Sequence, residues 1–239
     1  METLIRLQKL ISQFGYTSRR KAEILIKEGK VRINGVLQKE LGIKIPRTSL
    51  IEIDGKVINR PIQKIYLLIN KPPGYICSRR DPFGRSLIYD LIDKKYKKHG
   101  LFLVGRLDYM SEGLLLLTND GFFANKIMHP SSRIIKKYEV LTAKNIPYKS
   151  IDVWKNGVYI KGVKYKIVDI KRVSSVIAVI SLIEGKNREI RKLFENIGLP
   201  LKKLKRIAIG PIEMGDLPIG GCRELLKNEI QKLFQIANT

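Results

Sequence analysis

Two histidines and two cysteines are all that this 239-residue chain offers a transition metal or a disulfide. Cys77 and Cys222 form no metal-binding spacing, two thiols make no disulfide framework, and His99 and His129 have no partners near them in sequence. Long apolar runs are missing too: none approaches the roughly 18 residues needed to span a bilayer. The opening METLIRLQKL carries an acid at position two and lacks the apolar stretch of a secretion signal. These absences predict a reduced, cytoplasmic protein that needs no metal and leaves membranes alone. Acidic residues are the other shortage. Against 46 Lys and Arg stand 22 Asp and Glu, a formal net charge of +24. Solubility alone asks for only about 2–8 charges, so the excess points to a polyanionic partner.

What is present is ordinary globular material, 44% hydrophobic and 28% charged, long enough for one large domain or two. Residues 1–60 read as a separate module. Leu4, Leu7, Ile11 and Phe14 recur at helical spacing and stop at Gly15. Ser18 suits the N-cap of a second helix with Ala22, Leu25 and Ile26 inward and Gly29 as its end. Val31 and Ile33 alternate with Arg32, and Asn34-Gly35 signals a hairpin. Basic residues cluster at Arg19, Arg20, Lys21, Lys27, Lys30 and Arg32. The module holds 13 basic and 6 acidic residues, net +7, which leaves +17 on the remainder. Asn59-Arg60-Pro61 is the expected linker, since proline interrupts regular structure.

The module resembles the αL-type RNA-binding domain named after a small-subunit ribosomal protein. Arg6-Leu7, Ser18-Arg19-Arg20, Ala22, Gly29, Val31 and Asn34-Gly35 carry the likeness. It implies RNA as the partner and leaves the reaction open.

Residues 61–239 alternate strand-like and helical stretches. Ile65–Ile69 ends at Asn70-Lys71-Pro72-Pro73-Gly74. Leu114–Leu117 is short, apolar and closed by Asn119-Asp120-Gly121, as a buried strand before a turn would be. Tyr138–Leu141 and Val176–Ile183 are further strands. Without a regular βαβ rhythm, an α+β fold with a mixed, mostly antiparallel sheet and flanking helices is expected.

Two polar segments can carry chemistry. Gly105-Arg106-Leu107-Asp108-Tyr109-Met110-Ser111-Glu112-Gly113 precedes the buried strand and puts Asp108 in a Gly-bounded loop beside Arg106. Taken alone, such an aspartate is most often a turn or cap residue. The second segment is Glu184-Gly185-Lys186-Asn187-Arg188-Glu189-Ile190-Arg191. Asn187 suits the N-cap of a helix whose stripe is Ile190, Leu193, Phe194 and Ile197, ending at Gly198. Arg191 falls on the flank of that stripe, where a guanidinium can pair with a carboxylate in a cleft. Arg188 and Lys192 point further outward and suit phosphate contacts, although a solvated basic face also fits Lys192, as it does Lys202, Lys203 and Lys205.

GRLDYMSEGLLLLTNDG resembles the catalytic signature of ribosomal RNA pseudouridine synthases that carry an N-terminal αL domain. NKPPGY at 70–75, HPSSRIIKKYEV at 129–140, EGKNREIRKLFENIGLP at 184–200, GPI at 210–212 and LPIG at 217–220 match the same family in the same order. The resemblance implies a cofactor-free, metal-free isomerisation of uridine in RNA. Asp108 would be the nucleophile, attacking ribose C1′ or uracil C6. Tyr138 would stack on the uracil and help remove the C5 proton, and Arg191 would pair with Asp108. Arg106 would fill the space left by the flipped nucleotide. Ser111 stands where threonine is usual and keeps the hydroxyl. RNA contacts are expected from the six cations of the first module and from Lys186, Asn187, Arg188 and Lys192.

Two rivals stay in play: a non-catalytic rRNA-binding assembly factor on the same fold, and a glycosylase that breaks the same bond and releases uracil. Within the family, Asn187-Arg188-Glu189-Ile190-Arg191 resembles the branch acting on large-subunit rRNA. The small-subunit branch more often carries a His-Gln pair and a lysine in place of Arg191. The expected partner is thus a hairpin of large-subunit rRNA, met by a monomer.

Overall fold

The computed structural model describes residues 4–58 and 63–236. The chain forms two compact units. One comprises Met1–Ile65, Lys94–Phe102 and Asn119–Gly121; the other comprises Tyr66–Asp93, Leu103–Thr118 and Phe122–Thr239. The expected linker, Asn59-Arg60-Pro61, lies outside the described residues.

In the first unit, β1 (Leu4–Arg6) runs straight into α1 (Leu7–Gln13), followed by α2 (Arg19–Lys27). Ser18 caps α2 as expected, its hydroxyl accepting from the Lys21 N–H at 3.3 Å. Gly29, at φ +71°, ends the helix in the left-handed region that glycine enters at little cost. The hairpin of β2 (Val31–Ile33) and β3 (Val36–Gln38) turns through Asn34 and Gly35, both at positive φ, the geometry that the Asn-Gly pair favours. Strands β4 (Lys44–Pro46), β5 (Ile51–Ile53) and β6 (Lys56–Val57) complete the unit, with β4 on β1, β5 on β2 and β6 on β5.

Leu4 departs from the expected stripe. It lies in β1 and is exposed, and Leu10 joins Leu7 and Ile11 in the core instead. The cause is non-local: β1 pairs with β4 some forty residues on, so the chain is extended up to Arg6 and the helix starts one turn late. Ala22, Ile26, Val31, Ile45, Ile51 and Ile53 close that core, with Leu25 and Phe14 only partly buried against it. Arg19, Arg20, Lys21, Lys27, Lys30 and Arg32 are all exposed on α2 and the hairpin.

The second unit is built on one sheet. In chain order its strands are β7 (Tyr66–Lys71), β8 (Phe102–Val104), β9 (Glu112–Thr118), β10 (Lys136–Thr142), β13 (Asp169–Arg172), β14 (Ile177–Leu182), β15 (Leu201–Ile209), β16 (Ile212–Glu213) and β17 (Cys222–Glu224). A separate hairpin, β11 (Val158–Ile160) and β12 (Val163–Tyr165), stands outside it. Across the sheet the order is β13-β14-β10-β15-β9-β7-β17, with β8 on β9 and β16 on β15. Every mapped pairing is antiparallel except β15 with β9. The α+β expectation therefore holds. β9 is buried along its whole length, which explains its run Leu114–Leu117: with both faces covered, no polar alternation is tolerated. Helices α3 (Gly121–Met128), α4 (Glu189–Asn196) and α5 (Lys227–Ile236) accompany the sheet.

The parallel junction of β9 and β15 ties the strand behind the Asp108 loop to the strand that carries Arg206. It sets Gly113 opposite Arg206 at such close range that a Cβ on Gly113 would collide with the Arg206 backbone. Gly113 also sits at φ +100°. Only glycine meets both demands.

Candidate active site

Asp108 lies in the loop between β8 and β9. A turn fixes it, the Ser111 N–H donating to the Asp108 carbonyl at 3.0 Å. Lys71, at the end of β7 and fully buried, holds the same loop from below. Its ammonium donates to the carbonyls of Pro72 (2.9 Å), Tyr109 (3.1 Å) and Ser111 (2.7 Å). Three donors meet three acceptors, which is how a buried cation without a contacting carboxylate is tolerated. Desolvation still pulls its pKa below the usual lysine value, with Asp108 among the opposing charges.

Arg191 reaches the loop from the first turns of α4. Its Nη2 donates to the Met110 carbonyl and to the Ser111 hydroxyl, both at 3.3 Å, and its Nε stands 4.0 Å from Asp108 Oδ2. That Nε is buried and has no hydrogen-bond partner among the described residues. The guanidinium is thus anchored through one nitrogen and aims a second at the carboxylate, with Arg191 nearly buried and Asp108 about a third exposed. Burial lowers the Arg191 pKa, Arg188 adds to that, and Asp108 opposes it.

Tyr138 is buried on β10, where the pairing with β15 shifts register between Lys137 and Tyr138. The extra residue, Ile207, lies on β15, so it is the Arg206 strand that the bulge re-aims. The Tyr138 hydroxyl accepts from Arg206 Nη1 at 3.3 Å, while Arg206 Nε donates to the Leu114 carbonyl at 2.7 Å. Arg206 is almost completely buried, and its Nη2 has no partner among the described residues. Lys136, two residues before Tyr138 on the same face of β10, donates to the Ile183 carbonyl at 2.7 Å. Burial, and then the charge of Arg206, push its pKa down to about 8.

Beside them lies a cleft of about 510 Å³, whose lining includes Asp108 and Tyr138 but neither Arg191 nor Lys71, within the range that accommodates a nucleotide-sized ligand. Asp108, Tyr138, Arg106, Lys186, Asn187 and Arg188 all line it, alongside Lys136, Arg206 and Glu189. Five cationic side chains against two carboxylates make it a cleft for an anionic ligand. Arg106 is exposed at its edge. Arg188 is engaged with Glu195 at 3.0 Å. Lys192 does not join the cleft: it donates to the Tyr165 hydroxyl at 3.2 Å and borders a smaller hollow with Ile160, Val163 and Asn196.

Asn187 is not the N-cap of α4. Arg188 holds that position in the left-handed region, and no side chain caps the helix. Instead the buried Glu189 reaches back to accept from the Lys186 N–H at 2.9 Å, stabilising the turn and leaving Asn187 exposed.

Sequence reasoning missed Arg206, Lys136 and the role of Lys71. Arg206 lies in a run of lysines that reads as solvated, and only its alternation with Leu204 and Ala208 hinted at an inward face.

The sequence and the fold find counterparts among known proteins. Residues 65–196 match the family described as RNA pseudouridylate synthase, and residues 5–47 match the S4 domain. A Bacillus subtilis protein named ribosomal large subunit pseudouridine synthase B is 40% identical over 98% of this chain and 97% of its own length. An Aquifex aeolicus protein named as an uncharacterized RNA pseudouridine synthase is 39% identical over 97% and 94%. A crystal structure of a pseudouridylate synthase superposes with a TM-score of 0.70 at 27% identity, covering 96% of this chain and 99% of that one. With the carboxylate-lined cationic cleft in one unit and the S4 match in the other, this chain belongs to the RNA pseudouridine synthases that carry an S4 domain.

Proposed function

We propose that the protein isomerises a specific uridine in large-subunit ribosomal RNA, with Asp108 as the nucleophile. The pairing of Asp108, which lines the cleft, with an anchored Arg191 beside it carries this reading. A carboxylate enclosed with a bound nucleotide is driven toward its neutral form unless a cation compensates, and Arg191 supplies that charge. The target base must leave its stack to enter the cleft, at a cost of a few kcal/mol. Phosphate contacts from Arg106, Lys186 and Arg188 offset that cost. Once inside, the uracil lies between Asp108 and Tyr138. Attack by the carboxylate at C1′ or C6 breaks the N-glycosidic bond. The uracil turns, C5 bonds to C1′, and the bond to the Asp108 carboxylate breaks to return the free carboxylate. The C5 proton leaves with the help of Tyr138 while N1 takes up a proton.

The choice of large-subunit rRNA rests on two supports. One is the full-length relative whose name specifies that subunit. The other is the segment Asn187–Arg191, which resembles the large-subunit branch. The test deletes the gene, restores it as wild type or as Asp108→Asn, and maps pseudouridines in both rRNAs by carbodiimide-dependent primer-extension stops. We expect one stop in large-subunit rRNA to vanish and to return with wild type only. Loss of a covalent catalyst should leave less than about 1% of the activity in Asp108→Asn. A lost stop in small-subunit rRNA overturns the substrate; full rescue by Asp108→Asn overturns the nucleophile.

A further inference from the structure

Phe83 is 80% exposed, the most exposed large hydrophobic side chain of the described residues. It sits in a loop whose base is closed tightly. The Ile76 N–H donates to Ser86 O at 2.9 Å and the Ile88 N–H to Ile76 O at 3.0 Å. Inside the loop, Asp81 is nearly buried and works entirely for the local shape. Its Oδ2 accepts from the backbone N–H groups of Phe83 (3.1 Å) and Arg85 (2.9 Å) and from Arg85 Nε (3.1 Å). Its Oδ1 accepts from Arg85 Nη2 at 2.6 Å. The Arg85 guanidinium so held lies 5.2 Å from the Phe83 ring centroid and 6.0 Å from that of Tyr109, the neighbour of Asp108. Arg79 and Arg80 are exposed on the approach to the tip.

This arrangement is costly unless something uses it. A bidentate ion pair and two backbone hydrogen bonds hold an apolar ring out in water, flanked by cations, where it adds nothing to the core. We propose that Phe83 is a stacking platform for an unpaired RNA base next to the target uridine. The flanking arginines contact the phosphates on either side. Charge selects the partner, since Arg79, Arg80 and Arg85 outnumber the one acid of the loop and that acid is spent on shaping it. Continuity selects the place, because Arg85 bridges Phe83 to Tyr109 at the catalytic loop. Aromatic rings that stack on splayed bases, backed by cations, are the general means of holding single-stranded RNA. The inference rests on the reading of the cleft as the site of uridine isomerisation only for its location; stacking can be measured without turnover.

The experiment compares two probes of equal charge, a single-stranded decamer of adenylate and an abasic decamer. Phe83→Ala should weaken binding of the adenylate decamer at least fivefold, as loss of one base–aromatic stack does, and leave the abasic decamer within twofold. Phe83→Leu, apolar but without a π-face, should behave as Phe83→Ala. Phe83→Trp should retain affinity, and its indole fluorescence should be quenched by the adenylate decamer at saturation. The only natural tryptophan, Trp154, is buried and provides a constant background. Equal losses on both probes, full affinity in Phe83→Leu, or no quenching at saturation followed by anisotropy would each overturn the platform. Pseudouridine formation by the wild type, assayed in parallel, reports separately on the cleft.

Discussion

Lys136 shows how the cleft uses charge at the scale of one residue. Partial burial first, and then the charge of its neighbour Arg206, which is always cationic, push the Lys136 pKa down to about 8. Below that pH the lysine is an ammonium and helps hold an anionic RNA; above it the charge is gone. kcat/KM for an rRNA transcript should therefore fall as pH rises through about 8. Lys136→Arg, charged throughout, should shift that limb upward by more than one pH unit while keeping at least a tenth of the activity. An unchanged profile in Lys136→Arg would assign the limb to another group. Neither Lys136 nor Arg206 announces itself in sequence. Arg206 acquires its environment from Tyr138, 68 residues away, and from Leu114, 92 residues away. Buried cations of this kind are products of strand pairing, and local composition makes them look like surface. Asp108 and Arg191 stand out for a different reason: each lies in a polar segment abutting a strongly apolar one. But an aspartate so placed is most often a turn or cap residue, and the roles expected of the two came from the family resemblance.

Among the elements, legibility follows the range of the forces. The Asn34-Gly35 hairpin, the Ser18 cap and the apolar strand at 114–117 are set by neighbours within a few residues, and all three stand where periodicity and turn chemistry put them. β1 is set by β4, and Leu4 was misjudged for that reason. The start of α4 was misjudged although its determinants are local. An asparagine at the right position signals a cap, but the Glu189 carboxylate competes for the same turn and takes it. The junction of β9 and β15 offers the sharpest test of element packing. Gly113→Ala must fit a methyl against the Arg206 backbone from a positive-φ position. Strain of about 1–3 kcal/mol from the backbone conformation alone, with steric overlap added, should lower Tm by roughly 6–12 °C on the scale of 2–4 °C per kcal/mol for a chain of this size. Activity should suffer more than stability, because moving β15 moves Arg206 away from Tyr138. Thermal unfolding and a turnover assay on the same preparation check both effects; a variant as stable and active as wild type would show that the two strands can part without consequence.

At the scale of the whole molecule, charge and division of labour decide behaviour. The +24 excess is spread over both parts of the sequence, +7 in residues 1–60 and +17 beyond, so each can contribute phosphate contacts. We propose that residues 1–60 act as a separable RNA-binding module. Their six clustered cations are all exposed, and the ten residues of their core all come from residues 5–53. The groups proposed for catalysis, Asp108, Tyr138 and Arg191, all belong to the other unit. Removing residues 1–60 should leave a folded remainder that still holds its cleft. Lys94–Phe102 and Asn119–Gly121, which cluster with the N-terminal residues, should lose protection from hydrogen exchange in the truncated protein. RNA affinity should drop at least tenfold. The slope of log K against log salt should become shallower by about 2 or more, since each lost phosphate contact removes about 0.7–0.9 from it. Titration at several salt concentrations, with circular dichroism of the truncated chain, distinguishes the outcomes. A folded remainder with an unchanged slope would mean that the module's cations do not touch RNA. An aggregated remainder would mean that the two parts fold around a shared core, and that the sixty-residue boundary is a boundary of sequence only.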